Sequence, residues 1–196
     1  MKRDSFPSRN FSGRLCAGFF LLLVIAMGAS APRHLVAASP PPLREYDVKA
    51  ACLFNIAKFS DWPAQAFTHP AAPLIIGILG EDPFGSVLDR IVKGRLINER
   101  PVVIRRAAHF SELKSAHVVF ISAALRGSAT QICTALEETH VLCVGDSEET
   151  EPVAAINFSV VAGRTVFTVN LSHAHRAGVR ISSKLLALAQ VVRGPR

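Results

Sequence analysis

The chain of 196 residues carries 22 Lys and Arg against 15 Asp and Glu, giving a formal net charge of +7, and 49% of its residues are hydrophobic. This size fits one domain around a single hydrophobic core. The basic residues are scattered, and no Lys/Arg run is interleaved with aromatic residues. Nucleic acid is therefore excluded as an expected partner.

The N-terminus has the three parts of a secretory signal peptide. Four Lys and Arg residues precede an apolar run over 15–27, and small residues follow it. The run is too short to span a hydrocarbon core of ~30 Å, although an uncleaved membrane anchor stays the alternative. We predict a signal peptide over 1–31 and export to the periplasm. The alternative cleavage site lies after residue 38. Without residues 1–31 the chain keeps 18 basic and 14 acidic residues and a net charge of +4.

A proline-rich stretch over 32–43 predicts a flexible linker, and one domain is expected over 44–196. Apolar residues recur at helical spacing from about residue 45 to 60, with Lys49 and Lys58 off the apolar stripe. Trp62-Pro63 ends this helix because proline cannot continue it.

Strand-like apolar runs and helical patterns alternate along the rest of the domain. Alternation of this kind predicts a three-layer α/β sandwich with a mixed, mostly parallel sheet of about six strands and a C-terminal antiparallel hairpin at its edge. The predicted strands cover 74–79, 101–106, 117–121, 141–144, 154–160 and 165–170. The predicted helices cover 82–92 with Asp82 as its cap, 109–116, 127–138 with Ser128 as its cap, and 180–192 with Ser182 as its cap.

The turn from Gly80 to Gly85 joins a strand to a helix but matches neither a dinucleotide fingerprint nor a phosphate-binding loop. A simple capped turn accounts for it. The turn nevertheless follows the carboxyl end of a strand, where open α/β sheets bind ligands. Gly80, Asp82 and Gly85, together with Asp146, therefore form a ligand-site hypothesis.

No catalytic residue, cofactor site or metal site is predicted. His173 and His175 are two residues apart, so on a helix their side chains point about 200° apart and cannot share one ion. Ser182-Ser183-Lys184 does not have the spacing of a Ser-Lys nucleophile pair. The protein is therefore not expected to be an enzyme, and single histidines such as His117 are assigned ordinary surface or capping roles.

Three cysteines remain after the signal peptide. Cys133 lies in a predicted helix and Cys143 in the strand that follows it, so packing of the helix on that strand would allow the ~5.5 Å Cα separation of a disulfide. Two buried thiols are the alternative. Cys52 lies in an apolar helical stripe and is expected to be an inert thiol.

Large apolar residues at the end of the first helix suggest a binding surface. Phe59, Trp62 and Pro63 cluster there, and aromatic residues dominate interface energetics. A role in sealing the core is the alternative. A second contact patch, formed by Arg176, Arg180 and Ile181, is predicted beside the last helix.

Four stretches follow one another along the chain: 48–63; 74–85 with 98–106; 116–122 with 141–147; and 156–192. In this order they resemble the YfiR family of periplasmic regulators. The resemblance implies a non-enzymatic dimer that binds the periplasmic part of an inner-membrane diguanylate cyclase, or of a sensor kinase, and thereby controls cyclic di-GMP and biofilm growth. The family's redox control through its disulfides is in doubt here, because three cysteines are not an even set. A periplasmic small-ligand sensor without a cyclase partner is the alternative function.

Overall fold

The computed structural model describes residues 43–137 and 139–194, without the side chains of residues 43 and 44. The predicted signal peptide, and all but the last residue of the predicted linker, lie outside the described residues. Within the described part, none of the helices combines the length and the apolar character needed to cross a bilayer.

Five α-helices and three short 3-10 helices are present in this part of the chain. The α-helices are α1 (Leu43–Lys58), α2 (Ser86–Val92), α3 (Arg126–Leu136), α4 (Leu171–Arg176) and α5 (Ser183–Leu186). The 3-10 helices are Ala64–Ala66, Phe110–Leu113 and Ala123–Leu125.

Ten strands accompany the helices. They are β1 (Ser60–Asp61), β2 (Leu74–Leu79), β3 (Leu96–Ile97), β4 (Arg100–Ala107), β5 (Val118–Ile121), β6 (Leu142–Gly145), β7 (Ile156–Val161), β8 (Arg164–Asn170), β9 (Arg180–Ile181) and β10 (Val191–Arg193).

Eight of these strands form the central sheet in the order β10-β8-β7-β6-β5-β2-β4-β3. The pairs β7–β8 and β3–β4 are antiparallel, and the other neighbouring pairs are parallel. The predicted fold class, α/β with a mixed and mostly parallel sheet, is confirmed. The β7–β8 hairpin is not at the sheet edge as predicted, because β10 adds a parallel strand outside β8.

The central strands are buried along their whole length, which is typical of a parallel sheet covered on both faces. Side chains that alternate along these strands fall into two separate cores. The first contains residues of α1, α2, α4 and α5, and the second contains residues of Phe110–Leu113 and α3. The apolar stripe of α1 faces the first core, where Leu53 and Ile56 are fully buried.

The predicted C-terminal helix over 180–192 is wrong in most of its length. Only α5 is helical there, and the chain then continues into β10, where Val191 pairs with Thr168 of β8. The outer edge of β8 offers free backbone groups, and Val191–Arg193 pair with them as a parallel strand instead of extending a helix. Ser182 precedes α5, but its hydroxyl makes no capping bond.

Two predicted helix starts are displaced. Asp82 Oδ1 accepts a hydrogen bond from the Phe84 amide at 2.8 Å and so closes a turn, while α2 begins only after Gly85, whose φ is 49°. A polar side chain that bonds two residues ahead favours a turn over a helix start. Ser128 lies inside α3, and Ser122 instead caps the short 3-10 helix before it.

A disulfide joins Cys133 of α3 to Cys143 of β6, with their Cα atoms 5.8 Å apart. It lies in the second core and fastens α3 to the strand on which the helix packs. Cys52 is free and half-buried, and burial raises the pKa of its thiol. The bridge and the free thiol therefore have separate surroundings and can be distinguished chemically.

Reduction of the disulfide should lower the free energy of unfolding by about 2–3 kcal/mol, because the bridge closes a loop of roughly ten residues in the unfolded chain. Urea unfolding with and without reductant measures this difference. The C52S variant is the control and should show the same effect of reductant. Alkylation of the unfolded, non-reduced mature protein should modify one thiol, and three modified thiols would contradict the pairing.

Candidate functional site

The two predicted contact patches meet on one face of the protein. Ser60 pairs with Ile181 and Asp61 with Arg180 in an antiparallel two-stranded ladder, and the Ser182 amide donates to the Phe59 carbonyl at 2.9 Å. The ladder brings together residues from the end of α1 and from the segment after α4. We call the face formed by Phe59, Trp62, Pro63, Arg180 and Ile181 the β1–β9 surface.

The β1–β9 surface combines half-buried apolar side chains with positive charge. Phe59, Trp62 and Ile181 are half-buried and Arg180 is exposed. The Lys58 Nζ lies 5.5 Å from the centre of the Phe59 ring, within the range of a cation–π contact. Such a mixture of aromatic, aliphatic and guanidinium groups is typical of protein-binding surfaces.

Arg176 borders this surface, but its guanidinium is engaged elsewhere. Its Nη2 lies 2.9 Å from Glu137 Oε1, and His173 Nδ1 lies 2.9 Å from the same oxygen. The bond from Arg176 lowers the pKa of Glu137. Arg176 thus ties α4 to the end of α3, whereas the guanidinium of Arg180 is exposed.

A buried histidine supports Trp62 from behind. The ring of His117 is edge-on to Trp62 at 5.9 Å and stacked on Phe67 at 4.4 Å, while the Arg100 guanidinium lies 3.7 Å over the Phe67 ring. His117 Nδ1 accepts from the Ile75 amide at 3.1 Å, and burial lowers the pKa of His117 to about 4. The histidine is therefore neutral at physiological pH and holds Trp62 in place.

The ordinary surface or capping role expected for His117 is wrong, since only 3% of the residue is exposed. The sequence feature that could have predicted this burial is the position of His117 directly before an apolar strand. A polar residue that begins a buried strand is buried with the strand, and it then needs a partner such as the Ile75 amide.

A second feature is a cleft of about 780 Å³ beside the N-terminal part of α1 and the face of β7 and β8. We call it the Asp146 cleft. Its lining residues are Glu45, Tyr46, Lys49, Asp146, Ser147, Glu148, Glu151, Asn157, Phe158, Ser159, Val160, Thr168, Gln190 and Val191.

A buried ion pair lies at the base of the Asp146 cleft. Lys49 Nζ is 2.5 Å from Asp146 Oδ1 and 2.5 Å from Glu45 Oε1, and only 3% of the lysine side chain is exposed. Burial raises the pKa of Asp146 against the opposing effect of Lys49. Burial, together with Asp146, also raises the pKa of Tyr46 to about 12, so the phenol keeps its proton.

The ligand-site hypothesis combined four residues that the structure does not bring together. Asp146 lines the cleft, but Gly80, Asp82 and Gly85 do not. The crevice above β2 is filled at Gly80, where an added Cβ would lie 2.9 Å from Leu125 Cδ1. Asp82 forms an ion pair with Arg106, whose Nε lies 2.6 Å from Asp82 Oδ2.

Among the described residues, no group of three or more His, Cys, Asp and Glu side chains converges in an arrangement that could hold a metal ion. His173 Nδ1 lies 2.9 Å from Glu137 Oε1, and His175, two residues further along α4, is exposed.

The YfiR/HmsC-like family model matches residues 46–190, which is well over half of the chain. The protein belongs to the YfiR/HmsC-like family. The match includes both strands of the β1–β9 ladder and the ion pair of Lys49 with Asp146. Family membership supports a regulator in the context of periplasmic and cyclic di-GMP signalling rather than an enzyme. A comparison with curated proteins finds no match.

The burial of the His117 ring beside Trp62 predicts a pH dependence of stability. The pKa of His117 is about 4 in the folded protein and near 6.5 when unfolded, so stability is complete above pH 6.5 and falls as the pH drops. The loss attributable to His117 should reach about 3 kcal/mol at pH 4. Unfolding of wild type and H117N between pH 7 and 4 measures it, since the variant should lack this dependence.

The variant H69N, at an exposed histidine, is the matched control and should behave as wild type. An NMR titration of the His117 ring in the wild-type protein tests the same point without a variant. A midpoint near the unfolded value would contradict the role assigned to this residue.

Proposed function

We propose that this protein is a periplasmic regulator that binds the periplasmic part of an inner-membrane diguanylate cyclase and holds the cyclase inactive. The observation that carries the proposal is family membership over residues 46–190. In this proposal the chain is exported by its signal peptide, acts without catalysis of its own, and limits cyclic di-GMP and biofilm growth. A membrane sensor kinase is the second class of partner in this proposal.

The β1–β9 surface is the proposed contact with the cyclase. Its backbone is held by ladder pairing at Ser60 and Asp61, and Trp62 is packed against the rigid His117 ring. Anchors that are ordered before binding lose little conformational entropy when a partner docks. Lys58 and Arg180 outnumber the exposed Asp61 on the ladder, so the net positive charge favours a partner with acidic groups opposite it.

A homodimer is part of the same proposal. β10 is a terminal strand of the sheet, and Val191 and Val192 on it are 44% and 41% exposed. A free strand edge with exposed apolar side chains is suited to pairing with a second copy.

The alternative function, a small-ligand sensor, is favoured by one observation. The Asp146 cleft has the volume of small-molecule sites and contains a buried, polar base. A ligand site and a partner surface are compatible in one regulator, because they lie at opposite ends of α1.

Deletion of the gene should raise cellular cyclic di-GMP, and reintroduction of the wild-type gene should return cyclic di-GMP to its original level. The R180E variant should fail to restore it, because reversal of an exposed charge at an interface weakens binding by roughly 2 kcal/mol or more, about thirtyfold. Cyclic di-GMP quantification and pull-down from solubilised membranes measure the two effects.

R126E is the matched control, since Arg126 is an exposed arginine at the start of α3, which packs in the second core, whereas Phe59, Trp62 and Ile181 pack against the first. This variant should return cyclic di-GMP to the wild-type level and should still co-purify with the membrane partner. Unchanged cyclic di-GMP after deletion, together with no co-purifying membrane protein, would refute the proposed function.

A further inference from the structure

We propose that the edge of the sheet at β3 binds the headgroups of an anionic lipid bilayer. We call this part of the molecule the β3 edge and define it by Arg90, Lys93, Arg95, Leu96 and Pro101. The apolar side chains contact the headgroup layer, and the basic side chains pair with its phosphates. This inference goes beyond the proposed regulation of a cyclase and does not depend on it.

The apolar part of the β3 edge is open to solvent. Because β3 is a terminal strand of the eight-stranded sheet, no further strand of the described chain covers its outer side. Leu96 is 63% exposed, more than any other large hydrophobic side chain of the described residues, and it pairs with the exposed Pro101 of β4. Ile97, the next residue, packs in the first core, so Leu96 points away from that core.

The turn of the β3–β4 hairpin fixes Leu96 in this position. Asn98 and Glu99 have φ angles of 48° and 64°, and two consecutive positive values are typical of a type I′ turn. The Val102 amide also donates to the Arg95 carbonyl at 3.3 Å, which extends the pairing beyond β3. An apolar side chain on an ordered backbone loses little conformational entropy when it binds.

Three exposed basic residues give the β3 edge a positive charge. Arg90 lies near the end of α2, Lys93 directly follows α2, and Arg95 directly precedes β3. None of the three forms an ion pair with another described residue. Glu99 is the only acidic residue of β3, β4 and the turn between them. The net charge is therefore suited to an anionic surface.

Protection against edge-to-edge pairing alone does not account for this composition. Short length and basic residues protect an edge strand, and the two-residue β3 with Lys93 and Arg95 beside it has both. The exposed Leu96 works against such protection. A leucine flanked by basic side chains fits a bilayer interface instead, where the apolar group enters the headgroup layer and Lys and Arg contact the lipid phosphates.

The small size of the β3 edge favours a bilayer over a protein partner. Specific protein interfaces take roughly 20–30 residues from each side and depend on anchors such as Trp and Tyr. The β3 edge has two apolar side chains, Leu96 and Pro101, and neither is aromatic. A bilayer requires no complementary shape, and its anionic phosphates supply the negative charge that the three basic side chains lack.

The β3 edge is a neighbour of the β1–β9 surface. Trp62 of that surface and Ile97 and Asn98 of the hairpin line one cavity of about 310 Å³. A protein held at a bilayer by its β3 edge therefore keeps the proposed cyclase contact close to the membrane.

Sedimentation with vesicles tests the proposal on the purified mature protein. The protein should bind vesicles of phosphatidylcholine that contain phosphatidylglycerol, should not bind vesicles of phosphatidylcholine alone, and should be released by high salt, which screens the charges. K93Q/R95Q should weaken binding at least about tenfold. The matched control R126Q/R164Q also removes two exposed positive charges, at the start of α3 and of β8, and should bind as wild type does.

A second pair of variants tests the apolar contact. L96N should weaken binding to the anionic vesicles about fivefold, because the leucine no longer enters the headgroup layer. L188N is its control, since Leu188 is 62% exposed and lies outside the β3 edge, and it should leave binding unchanged. Amide NMR with bicelles of the same lipids should shift Lys93, Arg95 and Leu96.

Three outcomes would overturn the proposal. Equal weakening by both double variants would reduce the effect to net charge. Binding to soluble polyglutamate without binding to the anionic vesicles would assign the β3 edge to an acidic protein partner. NMR shifts confined to the β1–β9 surface would place the lipid contact elsewhere. None of these results bears on cyclic di-GMP after gene deletion, so the two proposals fail separately.

Discussion

The buried ammonium of Lys49 determines how α1 lies on the sheet. An unpaired buried charge costs several kcal/mol, whereas Lys49 has Asp146 and Glu45 at 2.5 Å each. Asp146 follows β6 directly, so the pair fastens the helix to the carboxyl end of a central strand. A rotation of α1 that kept its apolar stripe on the sheet but moved Lys49 from Asp146 would leave both charges buried and unpaired. The ion pair therefore selects one orientation that hydrophobic burial alone does not.

The other end of α1 is fixed by backbone hydrogen bonds instead of charge. Phe59 ends the helix and its carbonyl accepts from the Ser182 amide, and Ser60 then pairs with Ile181. The ladder is only two residues long, but α4 and the apolar core beside it hold β9 in place through the buried Val179. A helix fixed at both ends positions the Asp146 cleft at one end and the β1–β9 surface at the other.

The parts of the fold that depend on local sequence could be predicted. The continuous apolar strands and the stripe of α1 follow from hydrophobic periodicity, and the cluster of Phe59, Trp62 and Pro63 is visible in the sequence itself. Features that depend on partners far away in the sequence could not be predicted. Lys49 was expected off the apolar stripe, and its burial depends on a carboxylate 97 residues away.

The error at the C-terminus has the same origin. The segment after Ser182 has an apolar pattern that fits a helix, and only the unpaired edge of β8 makes part of it a strand. Gly178, with a φ of 69°, and the short β9 lie between α4 and α5, so the predicted helix over 180–192 begins only at Ser183. Edge pairing is a property of the assembled sheet, and a pattern of apolar residues does not contain it.

The two proposed sites differ in the kind of interaction that each offers to a binding partner. The β1–β9 surface offers aromatic and aliphatic area with an exposed arginine, which suits a large partner that excludes water over many contacts. The Asp146 cleft offers an enclosed volume with a buried ion pair at its base, which suits a small ligand. Arg180 does not line the cleft, and Asp146 is not on the ladder. Arg180 can therefore be substituted without a change in the cleft, whereas substitution of Asp146 breaks the ion pair that orients α1 and so affects both ends of the helix.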